Sequence, residues 1–266
     1  MLPKKSLGQN FLTSIPARMA IVAAGRLLPT DTVLEIGPGK GFLTKGILEA
    51  GATVVALEKD QELLPLLTEN FPSELQNEKL LLVEGDALTF DPADHKSLAK
   101  GYKLIANIPY YITGAILRRY LSDVLQPTHM VVLVQKEVAE RIVARDGKES
   151  ILSLAVKAYG DPKLVYRVNK GSFNPIPTVD SAVLSVENIS RKNFDSRAHE
   201  DLFFTIVKSG FAHKRKFLIS NLKEGVPKVD FLSLFQSLSL SEKVRAEDVP
   251  LSEWLSLSKL VKDLVK

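Results

Sequence analysis

The chain contains no cysteine among its 266 residues. This absence excludes disulfides, thiolate catalysis and cysteine-based zinc sites, and it fits a reducing compartment. No apolar run reaches the length of a membrane span, and no signal-peptide core follows the first residues. The four histidines lack the spacing of metal ligands; they are His95, His129, His199 and His213. We therefore expect a cytoplasmic protein without a membrane segment or a catalytic metal.

An excess of charge of one sign is also largely missing. The 35 Lys and Arg residues and 31 Asp and Glu residues give a net charge of +4, with an isoelectric point of about 9.0. This mild excess permits a polyanionic partner without requiring one. The composition, 45% hydrophobic and 25% charged, is that of a folded soluble protein. The length suits one large domain and a small one.

The first two-thirds of the chain alternate strand-like and helix-like segments. The predicted strands are 32–36, 53–57, 80–83, 104–106, 130–134, 164–168 and 182–186. The predicted helices are 42–50, 61–70 and 151–159. This alternation predicts an α/β fold with a doubly wound, mostly parallel sheet. Because no helix separates the last two strands, we expect them to form an antiparallel hairpin at the sheet edge.

The pattern changes near residue 190. Beyond it, apolar residues recur with helical spacing at Leu202, Phe203, Ile206, Val207 and Phe211. Further short helices are indicated up to the end of the chain. We therefore predict two domains, an α/β domain over 1–190 and a small α-helical domain over 191–266.

A glycine-rich loop follows the first predicted strand. Glycine lets the backbone approach a ligand closely and adopt φ values that other residues avoid; the loop carries Gly37, Gly39 and Gly41. A nicotinamide fingerprint would need its third glycine at position 42, where Phe42 stands. Glu35, just before the turn, instead favours a cationic, non-phosphorylated cofactor such as S-adenosylmethionine.

Acidic residues end the next two strands. Glu58 stands 21 positions after Gly37 and is placed to bind both hydroxyls of a ribose. Asp86 follows the third strand and can accept a hydrogen bond from an adenine amino group. Each residue alone is equally well explained as a solvated strand end. Together with the glycine loop, at consecutive strand ends, they favour a cofactor site.

The tetrapeptide Asn107-Ile108-Pro109-Tyr110 follows the fourth predicted strand, where open α/β sheets bind ligands. Its chemistry suits an amino group on a flat ring. The Asn107 side-chain oxygen and the Ile108 carbonyl can each accept one N–H. Pro109 stiffens the turn, and Tyr110 offers a face for stacking.

Six motifs in the expected order resemble those of the KsgA-type rRNA adenine N6,N6-dimethyltransferases. They occupy residues 4–12, 35–41, 85–88, 107–110, 135–141 and 173–183. The resemblance implies a class I methyltransferase fold with a seven-stranded sheet and S-adenosylmethionine as donor. It implies that Asn10 and Leu12 help to close the cofactor site. It also implies that the cofactor lies against or beside Gly37, Glu58, Asp86 and Asn107.

The implied reaction transfers two methyl groups to N6 of each of two adjacent adenosines near the 3′ end of small-subunit rRNA. The expected partner is small-subunit rRNA in an assembling subunit, and the expected state is a monomer. Tyr110 and Phe173 would sandwich the flipped base, since base-modifying enzymes take their target out of the stack. Pro175 and Pro177 predict that Phe173 lies exposed in a loop. Tyr111 is assigned to packing.

Basic residues supply candidate phosphate contacts, which bind RNA without recognising its sequence. The candidates are Lys4, Lys5, Lys136, Arg141, Lys214, Arg215 and Lys216. A small basic cluster is equally well explained as solvated surface. The family usually has an Arg-Arg-Lys run in the region of the last three. This chain has His213-Lys214-Arg215-Lys216, which keeps the charge but puts a bidentate arginine contact in doubt.

Three other functions fit parts of the pattern. A resistance-type adenine methyltransferase of large-subunit rRNA would share the glycine loop and the 107–110 motif, whereas the opening motif and 173–183 favour the small-subunit enzyme. A ribosome-assembly or transcription factor could bind RNA without turnover, but the intact Glu58, Asp86 and Asn107 argue against a dead site. For a small-molecule methyltransferase, tight and salt-dependent binding to rRNA particles would be contrary evidence.

Overall fold

The computed structural model describes residue 4 and residues 7–99 and 101–264. Its strands are β1 (Phe11–Leu12), β2 (Thr32–Ile36), β3 (Thr53–Glu58), β4 (Leu80–Glu84), β5 (Lys103–Asn107), β6 (His129–Gln135), β7 (Asp161–Val168), β8 (Phe173–Asn174) and β9 (Ser181–Glu187). Its α-helices are α1 (Ile15–Gly25), α2 (Phe42–Glu49), α3 (Leu63–Asn70), α4 (Pro72–Gln76), α5 (Thr113–Leu121), α6 (Lys136–Ile142), α7 (Ile151–Lys157), α8 (Arg197–Gly210), α9 (Leu218–Gly225), α10 (Phe231–Ser237) and α11 (Leu251–Leu264).

The described strands form a seven-stranded sheet in the order β4-β3-β2-β5-β6-β9-β7. Strands β2 to β6 are parallel, which confirms the predicted doubly wound sheet. Strand β9 runs antiparallel to both β6 and β7, so the predicted hairpin at the sheet edge is also confirmed. The strand order reverses between β2 and β5. Ligands of open α/β sheets bind at this switch point, beyond the carboxyl ends of the strands.

The sequence of the central strands explains why they lie in the middle of the sheet. Leu104, Ile105 and Ala106 of β5 are fully buried, as are Val33 and Leu34 of β2. Parallel strands covered by helices on both faces are apolar along their whole length rather than at every second residue. The polar residues that follow these strands are therefore held at the edge of a rigid layer.

A second, two-stranded sheet was not predicted. Strand β1 pairs antiparallel with β8, with Phe11 opposite Asn174 and Leu12 opposite Phe173. Each strand has only two residues, which is too short for a periodic pattern to show. This ribbon brings the chain after residue 10 next to the segment that precedes β9.

The described residues separate into two compact units. The first comprises the residues up to Ala139 and Gly160–Ile189, and the second comprises Glu140–Tyr159 and the residues from Ser190 onward. The sequence-based division at residue 190 therefore assigned 140–159 differently. This segment belongs with the helical unit because it bonds to it: the Glu149 amide donates to the Glu247 carbonyl at 2.8 Å.

The helical unit has its own core. Trp254 is fully buried, stacks on Phe211 at 5.7 Å between ring centroids, and donates from Nε1 to the Val249 carbonyl at 3.1 Å. The buried Glu200 carboxylate accepts hydrogen bonds from Tyr159, Arg191 and Arg197. Of all the helices in the described ranges, none has both the length and the apolar character needed to cross a membrane.

A glycine substitution tests how tightly the glycine-rich loop is packed. Gly41 has a φ of +83°, and a Cβ there would lie 2.4 Å from a ring carbon of Phe71. Gly147 has a φ of +76°, with no atom of the described residues within 4 Å of its Cβ position. Gly41→Ala should lower the free energy of unfolding by about 1–3 kcal/mol more than Gly147→Ala, because only the former also clashes. Urea unfolding measures the free energy of unfolding of both variants. Equal losses in the two variants would contradict the close packing of Gly41 against Phe71.

Candidate active site

A cavity of about 200 Å³ opens beyond the carboxyl ends of β2, β3 and β5. Loops that follow these parallel strands all end at the same edge of the sheet, so their side chains converge. The sequence-predicted residues that line the cavity are Asn10, Gly37, Gly39, Glu58, Asp86, Asn107, Ile108, Pro109 and Tyr110. The predicted site is therefore largely one continuous surface of the first unit.

Three residues that were assigned to the cofactor do not line this cavity. Glu35 is completely buried inside β2. Gly41 caps the amino end of α2 and packs under Phe71. Leu12 is buried in the core, and its neighbour Phe11 lines the cavity instead. Successive residues of a strand face opposite sides, which explains why Phe11 rather than Leu12 lines this cavity. The role of Leu12 in closing the cofactor site stays a prediction.

The expected exposure of Phe173 is wrong. Only 3% of this residue is exposed, and it belongs to the same hydrophobic cluster as Leu12, which it faces across the ribbon. Exposure begins one residue later, at Asn174, and the loop that the prolines mark begins after β8, at Pro175. Tyr111, assigned to packing, is 66% exposed and lines the cavity. The aromatic surface of the site thus differs from the one predicted.

Glu58 is held by the backbone at the end of β3. Its Oε2 accepts from the Gly39 amide at 3.1 Å, and its Oε1 accepts from the Asp60 amide at 2.8 Å. Burial raises the pKa of Glu58, and these two amides oppose the rise. Since each carboxylate oxygen can accept a second hydrogen bond, two hydroxyls of a ribose can still be bound.

Asp86 has a partner that the sequence analysis missed. Its Oδ2 accepts from the Lys59 ammonium at 2.8 Å, and its Oδ1 accepts from the Leu88 amide at 2.9 Å. The hydrogen bond from Lys59 lowers the pKa of Asp86 below its ordinary value. The carboxylate therefore stays ionised and remains an acceptor. Only the position of Lys59, directly after Glu58, could have indicated this role.

Asn107 is fixed by a hydrogen bond to the opening segment. Its side-chain Nδ2 donates to the Asn10 carbonyl at 3.1 Å. The assignment of an amide's oxygen and nitrogen follows from such partners, so Oδ1 is the atom left to accept. Tyr110 donates to or accepts from Ser181 Oγ at 2.6 Å, and burial raises the pKa of its hydroxyl. Tyr110 is thus a neutral, anchored ring.

The segment before β1 is tied to the end of β3. The Lys4 ammonium lies 2.7 Å from Asp60 Oδ1 and 3.0 Å from Glu62 Oε1. Gln9 donates to Asp60 Oδ2 at 2.8 Å. These pairs hold residues 7–11 along the cavity, a role that was not predicted for Gln9 or Asp60. They also neutralise Lys4, a predicted RNA contact; Lys5 lies outside the described residues.

The other candidate RNA contacts differ in exposure and in whether they pair with an acidic residue. Lys214 and Arg215 are exposed in the turn between α8 and α9, whereas Lys216 pairs with Glu224 at 2.6 Å. Lys136 lies 4.0 Å from Glu137, and Arg141 is exposed near the end of α6. Across the part of the chain that the structure describes, no cluster of three or more His, Asp or Glu residues could hold a metal ion.

The donor set fits a cationic adenosine compound. Burial raises the pKa of Glu35 to about 8, the charge of Glu58 adds to the rise, and Thr44 opposes it. Neither oxygen of Glu35 makes a hydrogen bond of ordinary geometry. A cation nearby would therefore lower the free-energy cost of ionising this buried carboxyl group. A Cβ on Gly37 would meet no described atom closer than the Asn107 carbonyl, at 3.8 Å. The backbone there leaves room for a ligand.

The titration of Glu35 gives a test of the ligand-free protein. Its pKa rises from 4.5 in an ordinary setting to about 8 when folded. Between these values the folded state keeps a proton that the unfolded state has lost, so stability falls as the pH rises. Glu35→Gln removes this dependence. The stability of the variant relative to the wild type should grow by a few kcal/mol from about pH 5 to about pH 8.

Chemical unfolding at several pH values measures the effect. The matched control is Glu69→Gln, which removes an exposed carboxylate from α3. Its pH profile should run parallel to that of the wild type. A parallel profile for Glu35→Gln as well would contradict the raised pKa.

The chain is similar to known proteins along nearly its whole length. The model of the ribosomal RNA adenine dimethylase family matches residues 2–263. A ribosomal RNA small subunit methyltransferase A from Dehalococcoides mccartyi is 40% identical over 256 residues, covering 96% of this chain and 87% of that protein. The protein of the same name from Deinococcus radiodurans is 43% identical over 257 residues, covering 94% and 82%.

Solved structures agree with the fold. A dimethyladenosine transferase from Plasmodium falciparum superposes with a TM-score of 0.79 at 26% identity, covering 95% of this chain and 98% of that one. The 23S rRNA methyltransferase ErmE superposes with a TM-score of 0.76 at 23% identity, covering 95% and 100%, which supports the fold alone. The predicted class I methyltransferase fold is thereby confirmed. On the extent and identity of these matches, the chain belongs to the ribosomal RNA adenine dimethylase family.

Proposed function

We propose that the protein transfers methyl groups from S-adenosylmethionine to N6 of two adjacent adenosines of small-subunit rRNA, during assembly of that subunit. The product is N6,N6-dimethyladenosine. The observation that carries the proposal is the orientation of Asn107, whose nitrogen is occupied by Asn10 and whose oxygen is left as an acceptor beside the cavity. The names of the curated relatives favour the small-subunit substrate.

The cofactor is proposed to lie along the carboxyl edge of β2, β3 and β4. Glu58 would bind the ribose hydroxyls, and Asp86 would accept from the adenine amino group. Gly37 and Gly39 would let the backbone approach the ligand. Asn10, in the segment before β1, would help to close the site over it. When bound, S-adenosylmethionine supplies an electrophilic methyl group on a positively charged sulfur.

Asn107 and Ile108 are proposed to activate the target amino group. The lone pair of adenine N6 is delocalised into the ring, which makes it a poor nucleophile. When Asn107 Oδ1 and the Ile108 carbonyl accept its two hydrogens, the lone pair is drawn out of conjugation. Holding it at roughly 3 Å from the reacting carbon, with water excluded, supplies most of the acceleration.

Tyr110 is proposed as the stacking surface for the flipped base. Its hydroxyl is anchored on Ser181, so the ring is already fixed before the base arrives. Aromatic stacking of this kind contributes about 1–3 kcal/mol per base. We assign no base contact to Phe173, because it is buried in the core. No strong general base is required, since the methylated ammonium product is acidic and loses its proton readily to solvent once the site opens.

The helical unit is proposed as the RNA-substrate side. Lys214 and Arg215 are its exposed cations in the turn before α9, and Arg141 is exposed on α6. Such residues position RNA through phosphates rather than through bases. The proposed state is a monomer in the cytoplasm.

The role of Asn107 predicts a selective loss. Asn107→Ala removes one acceptor of the target amino group, so turnover should fall by roughly 100-fold or more, as with other positioned hydrogen-bonding groups. Affinity for the RNA particle should be unchanged, because phosphate contacts supply most of it. Single-turnover kinetics and filter binding measure the two quantities. Turnover near the wild-type rate would refute the assignment.

The role of Glu58 predicts the complementary effect. Glu58→Ala removes the acceptors for the ribose hydroxyls and should weaken binding of S-adenosylhomocysteine by at least about tenfold. Affinity for the RNA particle should stay the same. Calorimetric titration of the cofactor product measures the change, and an unaltered affinity would undo the ribose assignment.

The proposed function is tested by offering labelled S-adenosylmethionine with three substrates: unmethylated small subunits, naked small-subunit rRNA and naked large-subunit rRNA. Dimethyladenosine on the small-subunit material is the expected product. Label on large-subunit rRNA alone would favour the resistance-type enzyme. Tight particle binding without label on any substrate would favour a non-catalytic assembly factor.

A further inference from the structure

A second cavity, of about 560 Å³, lies beside the proposed cofactor cavity in the same unit. The two cavities share four lining residues, which are Phe11, Gly37, Gly39 and Asn107. Both therefore reach Asn107, the residue proposed to hold the reacting amino group. A ligand in the second cavity would therefore lie close to the amino group that is methylated.

The ring of Phe11 forms the common wall. A Cβ on Gly39 would lie 3.0 Å from this ring, so the ring packs directly on the glycine-rich loop. The Lys40 ammonium lies 5.0 Å from the centroid of the same ring, within the range of a cation–π contact. Phe11 thus lines both cavities and contacts Lys40, which lines the second one.

The two cavities have opposite charge. The cofactor cavity carries the carboxylates Glu58 and Asp86 and one lysine, Lys59. The charged residues that line the second cavity are Lys40 and Lys45, and its lining, taken from the described residues, includes no carboxylate. Lys45 pairs with Glu49 at 3.9 Å, and an exposed pair at that distance is weak.

The remaining lining strengthens the preference for an anion. Asn70 and Asn174 supply exposed side-chain amides, and helix α2 begins at Phe42, which also lines the cavity. Amide donors and the amino end of a helix both favour negative charge. S-adenosylmethionine carries no phosphate and only one carboxylate, so the proposed cofactor accounts for at most one of the two lysines here.

We propose that the second cavity binds the ribose-phosphate backbone of the RNA next to the target adenosine, with Lys40 and Lys45 as its phosphate contacts. The inference rests on the proposed function, because it takes the ligand at Asn107 to be a base within an RNA chain. A flipped base stays attached to its own phosphates, so these must lie close to Asn107. An ammonium holds a phosphate as a point charge without recognising sequence.

The test compares Lys40→Gln, Lys45→Gln and the double variant with a control at an exposed lysine outside both cavities. Lys96→Gln serves as the control, because Lys96 is exposed and lines neither cavity. Binding to unmethylated small subunits and to naked small-subunit rRNA is measured over a range of salt concentrations. Affinity for S-adenosylhomocysteine is measured in parallel, to detect any disturbance of Phe11.

The double variant should bind RNA on the order of tenfold more weakly than Lys96→Gln, with a slope against log salt that is shallower by about 0.7 for each lost contact. Affinity for S-adenosylhomocysteine should be unchanged. Lys40→Arg, which keeps the positive charge, should retain most of the RNA affinity that Lys40→Gln loses. Equal RNA affinity and equal slope in the double variant and the control would overturn the proposal. So would a loss confined to S-adenosylhomocysteine binding.

The outcome is separable from that of the proposed function. If the wild type methylates only large-subunit rRNA, the proposed substrate is wrong, and the same variants are then measured on that RNA. A weaker, less salt-dependent interaction there would still support the phosphate site. If the wild type methylates small subunits while the double variant behaves like Lys96→Gln, the function stands and the phosphate site is wrong.

Discussion

The hydrogen bond from Asn107 Nδ2 to the Asn10 carbonyl is the contact on which the account of the site depends. A free amide could present its oxygen or its nitrogen, and only the oxygen can accept the hydrogens of an amino group. The bond settles this choice before any substrate binds. It also makes the opening segment part of the site, because Asn10 is itself held by the pairing of Lys4 and Gln9 with Asp60.

The sheet supplies the second constraint. Parallel strands end at one edge, so β2, β3 and β5 deliver Gly37, Glu58 and Asn107 to the same place. Two cavities of opposite charge meet there at Phe11 and Asn107. Under the proposed function, this arrangement would favour a cationic donor in one cavity and an anionic polymer in the other, since each ligand would meet charges of opposite sign.

Much of this followed from the sequence because it depends on local patterns. Apolar runs defined the strands, and the polar residues predicted at their ends line the cavity in which we propose that the cofactor binds. The ribbon of β1 and β8 was missed, since two-residue strands have no period, and with it the burial of Phe173. Long-range pairs such as Lys4 with Asp60 left no signal in the sequence. The place of residues 140–159 in the helical unit depends on packing rather than on composition.

The most direct test of the central claim is a crystal structure of the protein with S-adenosylhomocysteine and an adenosine-containing RNA fragment. The account predicts that adenine N6 lies about 3 Å from both Asn107 Oδ1 and the Ile108 carbonyl, with Nδ2 still bonded to Asn10 and the base stacked on Tyr110. A base bound away from Asn107, or an Asn107 amide turned so that Nδ2 faces the adenine, would contradict it.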